Sequence, residues 1–182
     1  ESIFRACEES GAKAAVGRAM MDLENEAGLS EATERSLRGA SDEADRWHGR
    51  GRLRYAFAPR FVPSCSEGLL REVAAEARRR GCLIHTHASE NRDEVELVRQ
   101  MTGRENVQYL HDVGLSGPDV CLAHCIHLSD AEVRLLAETG YDIAFLSFYY
   151  IVEQYLHLVR EHAPRTRVVF DTVDVHHVRE RR

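Results

Sequence analysis

Residues 81–90, GCLIHTHASE, decide the predicted fold because a short apolar run here lies between two amphipathic helical patterns. Before this stretch, residues 67–80 repeat apolar side chains at helical spacing, and Gly81 predicts the end of that helix. Residues 82–87 predict a strand, and residues 92–101 predict a second helix. A helix, a strand and a helix in this order are typical of βα units around a parallel sheet. The apolar contacts expected of the second helix are Val95, Leu97, Val98 and Met101.

The same alternation continues on both sides of this stretch. Ser129 and Glu132 form the pattern of a capping box, which predicts the start of a further helix. We find no short solenoid repeat and no low-complexity linker, so the pattern indicates an α/β protein. The other strands are predicted at residues 12–20, 53–61 (broken at Pro59), 120–126, 143–148 and 167–170, and the other helices at residues 30–49, 129–138 and 152–161.

Length and composition are those of a folded globular domain. The chain has 182 residues, of which 43% are hydrophobic and 30% charged, and its net charge of −6 implies no general attraction to nucleic acid or anionic membranes. No apolar stretch approaches the roughly 18 residues that a membrane span needs. Five cysteines, an odd number without a CxxC pair, favour a reducing, cytoplasmic compartment over a disulfide framework.

Polar side chains stand at the ends of two predicted strands, which is where the parallel strands of a barrel place an active site. His85, His87 and Glu90 stand at the carboxyl end of the strand at residues 82–87, and His124 and His127 stand at that of the strand at residues 120–126. Imidazole is the commonest neutral ligand of zinc, and a nearby carboxylate can move protons from an activated water. The alternative is that these are strand-end or hydrogen-bonded core residues without a chemical role.

Arg60 and Phe61 follow Pro59 at the end of another predicted strand. A guanidinium can donate paired hydrogen bonds to a carbonyl or a ring edge, and a neighbouring aromatic ring can stack on a flat ligand. Without other support, a surface arginine beside a core phenylalanine is the simpler interpretation.

Three motifs, in their order and spacing, resemble one known family. APRFVPSCSE (residues 58–67), HTHASENRDEVE (85–96) and LAHCIHLSDAE (122–132) are similar to the branch of the amidohydrolase superfamily that contains guanine deaminase. GRAMMDL (17–23) and LSEATERSL (29–37) resemble the same family, so the resemblance covers residues 1–140. It implies a partial (β/α) barrel of the metal-dependent hydrolase type, from a parent enzyme that hydrolytically deaminates guanine or a related purine and releases ammonia.

The resemblance also implies a role for each matching residue. His87 matches the histidine that ligates a single catalytic metal, usually zinc. Glu90 matches the acid and base that transfers protons, and His124 matches the histidine that orients the hydrolytic water. Arg60 matches the arginine that holds the purine, with Phe61 beside the pocket. A small purine substrate, a homodimeric parent and a cytoplasmic location are further expectations, and no nucleic-acid or membrane partner is expected.

The chain departs from the family's pattern in ways that bear on activity. No HxH pair precedes residue 85, although the family places one on its first barrel strand. YDIAFLSFYY (141–150) stands where an HCPxSN-like stretch is expected, and the surroundings of Asp171 and Asp174 do not resemble those of the family's last metal ligand. We therefore expect an incomplete zinc site and a fragment that is inactive alone and either marginally stable or prone to associate.

Residues 141–182 are similar to part of a nucleotide-sugar glycosyltransferase, which predicts two parts of different origin, residues 1–140 and 141–182. No role is assigned to Asp171, Asp174, His176 or His177. Two alternatives stay open for the function. One is a relative of the same superfamily that acts on adenosine derivatives or triazines. The other is a glycosyltransferase-related or non-catalytic βα protein whose histidines are structural.

Overall fold

Parallel strands alternate with helices along the chain. The computed structural model describes residues 1–23 and 29–171. The chain divides into two units, Glu1–His127 and Leu128–Arg182.

The first unit is built on a parallel sheet. Two short strands, β1 (Ala14–Val16) and β2 (Ala19–Met20), both pair with β3 (Leu53–Pro59). Strand β3 pairs with β4 (Leu83–Ala88), and β4 pairs with β5 (Val120–His124). Because all these pairs are parallel, the carboxyl ends of the strands meet at one edge of the sheet.

In the described part of the first unit, five helices accompany this sheet: α1 (Ser2–Ser10), α2 (Thr33–Trp47), α3 (Glu67–Arg80), α4 (Arg92–Thr102) and α5 (Asn106–Asp112). A short 3-10 turn, Val62–Ser64, lies between β3 and α3. Helix α3 begins where the Ser66 hydroxyl accepts a hydrogen bond from the backbone N–H of Leu69, and it ends at Gly81, whose φ of 64° suits a residue without a side chain. These caps fix the length of the helix that packs against β3 and β4.

The core of the first unit lies between the sheet and its helices. Tyr55 and Phe57 of β3 are fully buried and meet edge to face, with ring centroids 5.2 Å apart. Trp47 of α2 stacks on Phe4 of α1 with centroids 5.3 Å apart. Helix α3 contributes one apolar face to this core, made of Leu69, Leu70, Val73, Ala74 and Ala77.

The described part of the second unit comprises α6 (Asp130–Thr139), β6 (Ile143–Ser147), α7 (Tyr149–His162) and β7 (Arg167–Asp171). Strands β6 and β7 pair in parallel, with Phe145 opposite Val169. The capping box at Ser129 and Glu132 is present, as the sequence predicts: the serine hydroxyl accepts from the Glu132 N–H, and the glutamate accepts from the Ser129 N–H.

Gly17 explains one difference from the predicted strands. Residues 12–20 were expected to form a single strand, whereas the structure has two strands separated at Gly17 and Arg18. A Cβ atom at Gly17 would overlap the carbonyl oxygen of Ala56, so the chain passes close to β3 at a point where only glycine fits.

The other differences concern one helix, the ends of several elements and the packing of α4. Helix α5 was not predicted, and α7 begins at Tyr149 instead of residue 152. Two of the four expected core contacts of α4 are also wrong, since Leu97 and Met101 are exposed while Val95 and Val98 are buried.

In the described residues, no helix has the length and apolarity required to cross a membrane.

Candidate active site

Two histidines share one face of β4. His85 and His87 are two residues apart in the strand, and their ring centroids lie 5.3 Å from each other. Burial lowers the pKa of His85, and the neighbouring His87 and His124 lower it further. His85 therefore favours the neutral imidazole. It is one of the strand-end candidates of the sequence, although the family resemblance assigned it no role.

The backbone carbonyl of Arg60 fixes the orientation of the His87 ring. His87 Nδ1 lies 3.0 Å from this carbonyl oxygen, which can only accept, so Nδ1 carries the hydrogen. The same oxygen accepts from the His87 backbone N–H at 3.1 Å and from the Thr86 hydroxyl at 3.3 Å. The Nε2 lone pair of His87 is left available to a metal ion, an arrangement usual among metal-binding histidines.

The side chain of Arg60 lies against its neighbour Phe61. The guanidinium carbon is 5.5 Å from the centre of the Phe61 ring, within the range of a cation–π contact. Arg60 is exposed and Phe61 half-buried. Since the Arg60 carbonyl is bonded to His87, the guanidinium and the ring belong to the same edge of the sheet as the histidines.

The end of β5 brings His124 to the same place. Its ring centroid lies 5.2 Å from that of His87. His124 Nε2 is 3.7 Å from Glu90 Oε2, and both side chains are partly open to solvent, at 32% and 48% of full exposure. An imidazole and a carboxylate at this distance can share or pass a proton through a small adjustment or one water.

The backbone around these side chains is unusual. Ser89, His124 and Cys125 have φ values of 54°, 72° and 52°, which place three residues other than glycine in the left-handed region. Each such residue costs of order 1–3 kcal/mol, so it persists only where its surroundings hold it in this conformation. Three backbone bonds do so, since Cys125 N–H donates to Ala88 O (2.8 Å) and the N–H groups of residues 126 and 127 donate to Ser89 O (3.0 and 3.1 Å).

Glu94 supports the backbone of this region, a role that the sequence analysis did not predict. It is buried, and its carboxylate accepts from the backbone N–H groups of Ser89 (3.0 Å) and Glu90 (2.9 Å) and from the Asn106 side-chain amide (2.6 Å). The available signal was its position three residues after Asn91, the N-cap of α4, where a glutamate often bonds upstream N–H groups.

The structure brings together most of the predicted site residues. His85, His87, Glu90, His124 and the Arg60–Phe61 pair all lie in the first unit, at the carboxyl edge of its sheet. Asp171 ends β7 in the second unit and is exposed, and Asp174, His176 and His177 lie outside the described residues.

Among residues 1–23 and 29–171, no group of three or more His, Cys, Asp or Glu could hold a metal ion. A catalytic zinc needs about three protein ligands, so the described donors do not fit a complete zinc centre.

Comparisons with known proteins agree with the sequence motifs. A model of the amidohydrolase family matches residues 1–167. The chain is 37% identical over 140 residues to the 5'-deoxyadenosine deaminase of Methanothermobacter thermautotrophicus, covering 76% of this chain and 32% of that enzyme. It is 32% identical over 148 residues to the guanine deaminase of Escherichia coli, covering 80% and 34%. The chain thus spans about a third of the length of the curated relatives it matches.

Solved structures show the same fold. The guanine deaminase of E. coli matches with a TM-score of 0.81 and 26% identity, covering 94% of this chain and 41% of that one. Atrazine chlorohydrolase from Arthrobacter aurescens, solved in complex with zinc, matches with a TM-score of 0.76 over 91% of this chain and 39% of that one, but at 21% identity this likeness bears on the fold alone. The predicted partial (β/α) barrel is confirmed.

The family match also bears on the C-terminal stretch. It runs through residue 167 and so includes much of the sequence that resembles a glycosyltransferase, a resemblance without support among these comparisons. The two units of the structure divide after residue 127, whereas the predicted boundary follows residue 140 and stays a prediction.

Proposed function

Because the chain belongs to the amidohydrolase family, we propose that it is part of an aminohydrolase that hydrolytically deaminates guanine or a related purine and releases ammonia. One observation carries this proposal. The carboxylate of Glu90 faces His124, and His124 in turn lies against His87, at the edge of the sheet where parallel βα proteins perform their chemistry. The substrate and the activity are proposed for the complete enzyme, since the chain spans about a third of the length of these relatives.

We propose that His87 contributes one ligand to a zinc ion through Nε2. Zinc would supply Lewis-acid activation of water at this edge. The described residues do not complete the ligand set, because their donors do not form a group of three. What the described residues support is the orientation of His87, held by the Arg60 carbonyl.

Glu90 and His124 would handle the proton. A carboxylate that takes a proton from the attacking water and delivers it to the departing amino group serves as both base and acid. His124, with Nε2 3.7 Å from Glu90 Oε2, would orient that water by hydrogen bonding. Both side chains are open enough to solvent for a substrate to reach them.

Arg60 and Phe61 support the choice of a purine. The planar guanidinium can donate two parallel hydrogen bonds to a ring carbonyl and its neighbouring nitrogen, and the Phe61 ring offers a flat apolar surface beside it. The relatives include both a guanine deaminase and a 5'-deoxyadenosine deaminase, so adenosine derivatives remain the second candidate substrate. Triazines are a third candidate by the resemblance alone.

The proposal is tested in a chimera in which this chain replaces the matched 148 residues of the E. coli guanine deaminase. Ammonia release would be measured with guanine and 5'-deoxyadenosine, and chloride release with atrazine. We expect guanine to be the best substrate and Arg60→Ala to lower kcat/KM for guanine at least about tenfold, because a paired charged hydrogen bond is lost. Arg71→Ala, which breaks a surface ion pair with Glu67 on α3, is the matched control. Turnover of 5'-deoxyadenosine without guanine, or an unchanged guanine rate in Arg60→Ala, would contradict the guanine assignment.

A cytoplasmic location and a homodimeric parent are part of the same proposal. The cysteine count, odd and without a CxxC pair, supports a reducing compartment. The dimer rests on the family resemblance, and a small purine is the only partner proposed.

A further inference from the structure

We infer that Glu94 is the positioning residue that holds Glu90 against His124. Glu94 is buried and accepts from the backbone N–H groups of Ser89 and Glu90, so it acts on the site through that backbone. The chemical roles of Glu90 and His124 rest on the proposed function, whereas the positioning itself is a property of the fold.

The carboxylate of Glu94 is buried and accepts hydrogen bonds from three donors. Only 5% of the residue is exposed. One oxygen accepts from the Ser89 N–H at 3.0 Å and from the Asn106 amide at 2.6 Å, and the other accepts from the Glu90 N–H at 2.9 Å. A buried carboxylate is costly unless such donors surround it, so each donor in turn is held in one position.

Helix capping alone does not account for these contacts. In α6, Glu132 holds the third helical position and bonds the N–H of its own N-cap residue, Ser129, at 2.8 Å. Glu94 holds the same position in α4, but it reaches past the N-cap Asn91 to the two residues before it. The contacts of Glu94 therefore serve the loop after β4 and go beyond the helix end itself.

Ser89 links this carboxylate to the loop after β5. Its N–H donates to Glu94, while its carbonyl accepts from the N–H groups of Ile126 and His127. Its φ of 54° is a strained value that such bonds on both sides can maintain. Glu94 thus fixes Ser89, and Ser89 fixes the exits of β4 and β5, from which Glu90 and His124 project.

The test compares two buried glutamates in the 182-residue chain by NMR. Glu94→Gln places an NH2 group opposite a backbone N–H, so one of the bonds to Ser89 or Glu90 is lost. Glu132→Gln makes the same change in an ordinary capping box. We expect Glu94→Gln to remove the nuclear Overhauser contact between Glu90 Hγ and the His124 ring. We also expect it to speed amide exchange about tenfold or more at residues 89, 90, 126 and 127. Glu132→Gln should leave that contact and those amides unchanged.

Two results would overturn the inference. One is an intact Glu90–His124 contact in folded Glu94→Gln, and the other is faster exchange confined to residues 89 and 90. If Glu94→Gln does not fold, Asn106→Ala removes a single donor to Glu94 and keeps both backbone bonds. It should weaken the same contact and speed the same amides about threefold, and unchanged exchange there would equally overturn the inference. No deamination is measured, so failure of the proposed function leaves this test intact.

Discussion

His124 Nε2 lies 3.7 Å from Glu90 Oε2, although Glu90 lies in the loop after β4 and His124 is the last residue of β5. The register of β4 and β5 explains the approach, since their last residues, Ala88 and His124, pair and so place both strand ends at the same edge. Ser89, which precedes Glu90, and His124 both have left-handed backbone conformations at these strand ends. The side chains of Glu90 and His124 face each other there. This pair is the most direct structural support for acid–base chemistry in the chain.

Replacing Glu90 by glutamine should abolish proton transfer without removing hydrogen bonding. In the E. coli chimera, we expect Glu90→Gln to lower kcat about 10²- to 10⁴-fold with little change in KM. Steady-state ammonia release measures both constants. Glu96→Gln on the exposed face of α4 is the matched control and should retain full activity. A Glu90→Gln enzyme with normal kcat would remove Glu90 from the mechanism.

Zinc affinity should depend on His87. The Arg60 carbonyl leaves Nε2 of His87 free, so we expect His87→Ala to lower the weak zinc affinity of the chain about tenfold. Competition against a coloured chelator would measure the affinity. His111→Ala removes an exposed histidine that bonds Ser116 and should leave the affinity unchanged. Equal affinities in the parent chain and in His87→Ala would contradict the metal assignment.

The sequence predicts the strands and the edge at which the histidines gather, because apolar runs between capped helices leave few other arrangements. It does not predict that Glu94 bonds the loop before its helix. A glutamate three residues after an N-cap residue indicates an ordinary capping box. Nor does it predict that Leu97 and Met101 are exposed. Helical spacing identifies the apolar face of a helix but not which residues at the margin of that face are buried. The contact of the Arg60 carbonyl with His87 depends on backbone geometry, which side-chain patterns do not encode.

Gly17 should be intolerant of even one added methyl group. A Cβ there would overlap the Ala56 carbonyl, so β1 and β2 would have to move from β3, and we expect Gly17→Ala to lower the free energy of unfolding by about 1–3 kcal/mol. Gly68→Ala in the first turn of α3 meets only an ordinary contact and should raise it by up to about 1 kcal/mol. Urea denaturation of both variants measures the difference. Equal stability of Gly17→Ala and the parent chain would show that this strand can shift freely.

The buried thiol of Cys65 should make stability depend on pH above 9. Burial raises the pKa of Cys65 from 9.0 to about 11, and its sulfur donates to the Met20 carbonyl. The unfolded chain loses this proton first, so the stability that Cys65 contributes is complete below pH 9 and declines as pH rises towards 11. The full effect is about 2–3 kcal/mol. Cys65→Ala should therefore destabilise the chain at pH 7 and show a flatter decline than the parent chain in urea denaturation between pH 9 and 11. Parallel declines would mean that Cys65 does not titrate as proposed.

The strands of the second unit should make the chain prone to self-association. Phe145 is 68% exposed on β6, and its partner Val169 on β7 is 40% exposed, so among the described residues an apolar surface of this two-stranded sheet faces solvent. We expect Phe145→Glu to shift the chain towards monomer, with a rise of at least about tenfold in the dissociation constant, because a buried carboxylate would be unpaired in any contact. Sedimentation velocity over a range of concentrations measures this change. Leu97→Glu, a single exposed leucine of α4, is the control and should sediment like the parent chain. If Phe145→Glu and the parent chain associate equally, this apolar surface plays no part in the association.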